Sequence, residues 1–114
     1  MQFGAAMFFT DYSRGPGELG LALEQRGLES LWVPEHSHVP VSRATPFPSG
    51  GGLRKAYYDI MDPFVVLTAV AAVTQRHKLD TGVCLIAQRD PNPDGETGRL
   101  DRSGFRRPLP VRRR

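Results

Sequence analysis

Three apolar runs divide the first ninety residues, and each stops abruptly at polar side chains. Met1 to Phe9 is almost wholly apolar and ends at Thr10-Asp11, the pattern of a strand buried on both faces of a parallel sheet and followed by a polar loop. Pro16 suits the first turn of a helix, and Glu18 is favourably placed near its positive end. Leu19, Ala22, Leu23 and Arg26 then recur at helical spacing, so the three apolar members are expected to face the sheet, and Gly27 supplies a stop. Leu28 to Pro34 reads as a second buried strand, which completes a βαβ unit.

Residues 37 to 61 form a long irregular segment with Pro40, Pro46, Pro48, the triplet Gly50-Gly51-Gly52 and the aromatic pair Tyr57-Tyr58. Loops of this length inside a domain act as lids or binding loops, or are disordered. The triplet lacks a following Lys-Ser/Thr and reads as a flexible turn, not a phosphate cradle. Asp62-Pro63 is a strong helix start, with Asp as N-cap and Pro at N1. The helix Phe64 to Thr74 is apolar nearly all round, which predicts burial, and His77 and Lys78 follow its end, where positive charge is favoured. Leu79 to Ala87 gives a third strand, ending at Gln88-Arg89-Asp90-Pro91. The order β, α, β, long loop, α, β is that of an α/β protein, and crossover rules make the three strands parallel and adjacent.

Candidate chemistry sits where the second run ends, in Ser30-Leu31-Trp32-Val33-Pro34-Glu35-His36-Ser37-His38. Ligands of parallel α/β sheets bind outside the strands' carboxyl ends, so Glu35 and His36 are site candidates. His38 reads as a solvated loop residue, and His36-x-His38 with no third ligand is too little for a metal site. Cys84, the only cysteine, lies in the apolar run Val83-Cys84-Leu85-Ile86 and is expected to be a small buried hydrophobe. It has no partner for a disulfide within one chain.

With 114 residues the chain suits one small domain, and a full (β/α)8 barrel of roughly 250 residues does not fit. No stretch of about 18 uninterrupted apolar residues occurs, and Met1-Gln2-Phe3-Gly4 lacks the basic region of a secretory signal, so a cytoplasmic protein with no membrane partner is expected. The net charge of +3 is uneven: residues 1 to 91 carry 8 basic and 9 acidic side chains, whereas residues 92 to 114 carry 7 arginines against 3 acids.

Taken together, several pieces resemble the luciferase-like flavin-dependent oxidoreductases, and within them the group that uses the deazaflavin coenzyme F420. These are Met1-Gln2-Phe3-Gly4, Leu23-Glu24-Gln25-Arg26-Gly27-Leu28-Glu29-Ser30-Leu31-Trp32, Pro34-Glu35-His36, Met61-Asp62-Pro63-Phe64 and Thr81-Gly82-Val83, and they span residues 1 to 91. The resemblance implies the N-terminal part of a (β/α)8 TIM barrel: its first three strands and two helices. It places Glu35 and His36 beside the reactive ring of F420, or of FMN as the alternative coenzyme, with a small-molecule organic substrate. A His near neutrality suits proton exchange there. It also places Gly82 and Val83 behind the coenzyme ring, in a turn that often holds a cis peptide. Asp80 stands where the family's pattern has glycine.

Residues 92 to 114 break this pattern and read as an irregular, disordered Arg/Pro-rich tail. Read one nucleotide later, the codons for Phe105 to Arg113, with CGN for each arginine, permit S-G-G-R-F-L-F-G-V, which resembles the family's continuation after Q-R-D-P. The tail is therefore expected to be a frameshift product, and the chain an inactive fragment with no specific nucleic-acid partner. Its open sheet edges are expected to invite self-association. The alternative expectation is a small basic nucleic-acid-binding protein acting through the arginines.

Overall fold

The computed structural model describes residues 1 to 42, 47 and 50 to 88; Arg89-Asp90-Pro91 and the whole basic tail lie outside them. The elements are strand β1 (Gly4–Ala6), helix α1 (Pro16–Gln25), strand β2 (Ser30–Val33), helix α2 (Pro63–Ala71) and strand β3 (Lys78–Thr81), with single 3-10 turns at Lys55–Tyr57 and Ile86–Gln88. The sheet is parallel throughout, in the order β1-β2-β3. In register, Ala5 faces Leu31 and Leu31 faces Leu79; Ala6, Trp32 and Asp80 form the next row. This is a mixed α/β architecture with a three-stranded parallel sheet, consistent with the expected N-terminal part of a (β/α)8 barrel.

The strands are shorter than the apolar runs. Met7 N–H still donates to the Trp32 carbonyl at 3.1 Å and Gly82 N–H to the Val33 carbonyl at 2.8 Å, but Phe8, Phe9 and Val83 to Leu85 lie beyond the ladder. Hydrophobic runs mark burial and not pairing, and the four residues of β2 limit how far its neighbours can pair. Cys84 accordingly sits half-buried in a loop and not in a strand.

Alternation along β2 sends Leu31 and Val33 towards the helices, where they meet Phe9, Val66, Leu67 and Val70 in the buried core. Leu19, Leu23, Ala5, Met7, Met61 and Leu79 pack around it. The expected α1 stripe is thus correct, but α1 lies chiefly against α2 and less against the sheet. Gly20 marks the contact: a Cβ built there would be 2.4 Å from Val70 Cγ1 and 3.2 Å from Val70 Cβ. The helix stops as expected at Gly27, whose φ of 78° is left-handed.

Asp62 caps α2 as the sequence predicts: its Oδ1 accepts from Phe64 N–H at 2.8 Å and Val65 N–H at 3.2 Å. The expected burial all round does not hold. Pro63, Val66, Leu67 and Val70 are buried, whereas Val65 is 59% exposed and Val73 43%, because among the described elements α2 packs chiefly against α1 and the sheet. The end of α2 also differs. The helix stops at Ala71, so His77 is too far on to meet its last carbonyls, and its backbone N–H instead joins those of Gln75 and Arg76 around the Glu24 carboxylate.

Among the described residues no helix is long and apolar enough to cross a membrane.

Candidate active site at the carboxyl ends of the strands

The chain leaves β2 through Pro34 and buries the next side chain. Glu35 is 1% exposed, and its Oε2 accepts from the Leu85 N–H at 2.6 Å. That bond ties the segment after β2 to the segment after β3. A second bridge lies further out, where Ser37 Oγ donates to Gln88 Oε1 at 3.4 Å and faces His38 Nδ1 at 3.1 Å. His38 is thus exposed, as expected, yet part of a polar chain between two loops.

His36 is half-buried between these bridges. Its imidazole meets the Tyr57 ring edge to face, with centroids 4.7 Å apart and planes at 86°. Tyr57 also touches Phe8 at 4.8 Å and Phe47 at 5.6 Å, both T-shaped. The long loop therefore folds back over the strand ends, and Met61 N–H, donating to the Phe9 carbonyl at 2.8 Å, fixes its return. Lys55 at the start of the 3-10 turn pairs with Asp59 and lies over the Tyr12 ring, 4.4 Å from its centroid. The hydrogen bond it donates to the Asp59 carboxylate raises the Lys55 ammonium above the ordinary lysine range. The glycine triplet is a turn, as expected: Gly50 and Gly51 have φ of 76° and 78°.

Gly82 and Val83 lie at the same end of the sheet. A Cβ at Gly82 would meet only the Val33 carbonyl, at 3.9 Å, and Val83 is 47% exposed, so this turn leaves open space beside the strand ends. Its peptide bonds are trans, as are all those of the described residues. Asp80 accepts the Thr81 N–H at 2.8 Å through its own carboxylate.

Glu35, His36, Gly82 and Val83 are thus gathered at one end of the sheet. Sequence reasoning missed Tyr57 and, behind it, Phe8 as neighbours of His36. Thr10 is 5% exposed, and its Oγ1 has no hydrogen-bond partner among the described residues. The signal for Tyr57 was its place in an aromatic pair within a long loop. Among the described residues no three His, Cys, Asp or Glu side chains gather to hold a metal ion.

A groove of about 360 Å³ lies at the opposite end, lined by Phe3, Glu24, Glu29 and His77 among others. Its carboxylates are committed: Glu24 to the backbone donors and Glu29 to Lys78. At the carboxyl end, by contrast, the half-buried His36 imidazole packs on Tyr57 and makes no hydrogen bond to the described residues.

A parallel sheet covered by helices on one face, with a carboxylate and an imidazole at its carboxyl end, defines an α/β protein of the class whose ligands bind outside the strand ends. The profile of the luciferase-like monooxygenases matches residues 12–92, and the chain belongs to that family. Uncharacterized proteins of Mycobacterium tuberculosis and Mycobacterium bovis are each 35% identical to it over 94 residues, covering 80% of this chain and 33% of theirs. The chain therefore spans about a third of the length of these curated relatives. No solved structure matches it.

Proposed function

We propose that residues 1 to 91 carry the first part of the coenzyme pocket of an oxidoreductase using F420, with FMN as the alternative, and that Glu35 and His36 lie against the coenzyme's reactive ring. The observation that carries this reading is the Glu35–Leu85 bond, which locks the ends of β2 and β3 together and presents His36 at their mouth. The residues present suit such a group: an imidazole with no hydrogen bond among the described residues, the unpartnered buried Thr10 Oγ1, and the open turn at Gly82-Val83. When bound, the coenzyme supplies hydride transfer to or from an organic substrate. His36 holds or releases a proton at a ring nitrogen, and Glu35 fixes the loop from which His36 projects. Gly82 and Val83 form the floor on which the ring rests.

Three strands of an eight-stranded barrel supply only part of such a pocket. The chain is accordingly proposed to be inactive alone and to bind coenzyme without turnover, in the cytoplasm, with residues 92 to 114 contributing nothing to the site. Addition of F420 or FMN to the chain, followed through the imidazole signals by NMR, tests the site. The His36 resonances, assigned by their loss in His36→Gln, are expected to move on addition of one coenzyme while those of His77 stay fixed. If neither coenzyme moves them, the assignment of Glu35 and His36 to the site is wrong.

A further inference from the structure

We propose that Tyr57 is a positioning residue for His36, holding its imidazole in the orientation needed for proton exchange. This rests on the reading of His36 as a site residue. A catalytic imidazole is ordinarily oriented by a hydrogen bond to one ring nitrogen, which also leaves only the other nitrogen for chemistry. Here neither nitrogen of His36 is hydrogen-bonded within the described residues, and the contact made by the ring is with Tyr57, at 4.7 Å and nearly perpendicular. A ring set by its face or edge keeps both nitrogens available, and edge-to-face packing is directional enough to fix the plane.

Tyr57 can do this because it is itself held from several sides. Phe8, just past β1, and Phe47, from the far part of the loop, pack against it at 4.8 and 5.6 Å. Its N–H donates to the Arg54 carbonyl at 3.0 Å, and Tyr58 N–H to the Lys55 carbonyl at 2.9 Å, which closes the 3-10 turn. The Lys55 ammonium, clamped by Asp59 and seated over Tyr12, ties that turn to the loop after β1. The path Tyr12, Lys55, Tyr57, His36 thus connects the loop after β1 to the end of β2, and the 3-10 turn Lys55–Tyr57 acts as a fixed support for the imidazole.

The experiment is 13C relaxation of the imidazole C–H groups in the full chain, which reports ring order on the ps–ns timescale. In the native chain His36 is expected to be well ordered and His38 mobile. Tyr57→Ala is expected to drop the order of His36 to that of His38, and Tyr57→Phe to restore it, since the phenol oxygen plays no part in the packing. Tyr57→Leu keeps apolar bulk without the ring and serves if the alanine variant fails to fold; it too is expected to free His36. An ordered His36 in a folded Ala or Leu variant, or a His36 as mobile as His38 in the native chain, overturns the proposal. Failure of coenzymes to move the His36 signals would remove the functional reading and leave this result standing, so the two can fail separately.

Discussion

Glu24 shows how one side chain ties a helix, α1, to the connection between α2 and β3. It projects from the last turns of α1, and its Oε1 accepts from Arg76 N–H at 2.5 Å, His77 N–H at 2.9 Å and Gln75 N–H at 3.0 Å. Successive backbone N–H groups converging on one point make an anion-binding concavity, here filled by the protein's own carboxylate. Those donors, Arg76 foremost, hold the Glu24 carboxyl below the usual glutamate range although desolvation works against them. A carboxylate with a folded pKa below its unfolded one contributes stability that is fully present above the unfolded value and is lost as pH falls through the folded value. Stability is therefore expected to decline below about pH 4.5, and Glu24→Gln is expected to flatten that decline. The variant is expected to cost about 1–2 kcal/mol at neutral pH, the range for a partly exposed charge-assisted contact. Urea unfolding at several pH values measures both effects, and identical acid limbs for the two proteins would show that the carboxylate is not the coupled group.

At the scale of elements, the helix pair depends on Gly20 and Val70 meeting without a Cβ between them. Val70 is fully buried and β-branched, so its rotamer in α2 is fixed and its methyl groups have little room to retreat. Gly20→Ala gains roughly 1 kcal/mol of helix propensity but forces α1 away from α2, an overpacking cost of about 1–3 kcal/mol. The net expectation is destabilisation, and Gly20→Ala with Val70→Ala is expected to recover part of it because the clash is removed. A stabilised single variant in thermal unfolding would place the helices further apart than they lie here. This contact was not legible in the sequence, where Gly20 is simply a weak point in a helix. Existence, order and caps of the elements were legible, because Pro16, Gly27 and Asp62-Pro63 act locally. The strand ends were not, since pairing is set by the neighbour and not by the strand's own run of apolar residues. The candidate site divides in the same way: Glu35 and His36 stand out where an apolar run stops, whereas Tyr57 and the Leu85 N–H reach them only through the folded loops.

For the whole molecule the decisive asymmetry is between the two faces of the sheet. Leu31 and Val33 lie under the helices, while Trp32, on the opposite face of the central strand, is 41% exposed. Its Nε1–H is satisfied by Ser30 Oγ at 3.1 Å, and Gly4, opposite Ser30 in β1, leaves room for that hydroxyl, since a Cβ there would lie 2.3 Å from the oxygen. Among the described residues nothing covers this face, and β1 and β3 each leave one edge unpaired. Trp32 and Ala6 on this face, beside Lys78 and Asp80, and the two parallel edges favour association, through burial of the indole and completion of backbone pairing. The chain is therefore expected to self-associate as concentration rises. Trp32 is its only tryptophan, so its emission reports this face directly: a shift to the blue and loss of iodide quenching should accompany the increase in sedimentation coefficient. Trp32→Lys is expected to hold the chain monomeric at concentrations where the native chain assembles, because a lysine on each face opposes their contact. If the native chain sediments as a monomer throughout and its tryptophan stays open to iodide, the exposed face does not drive assembly. If it assembles with Trp32 still quenchable, the strand edges alone carry the contact.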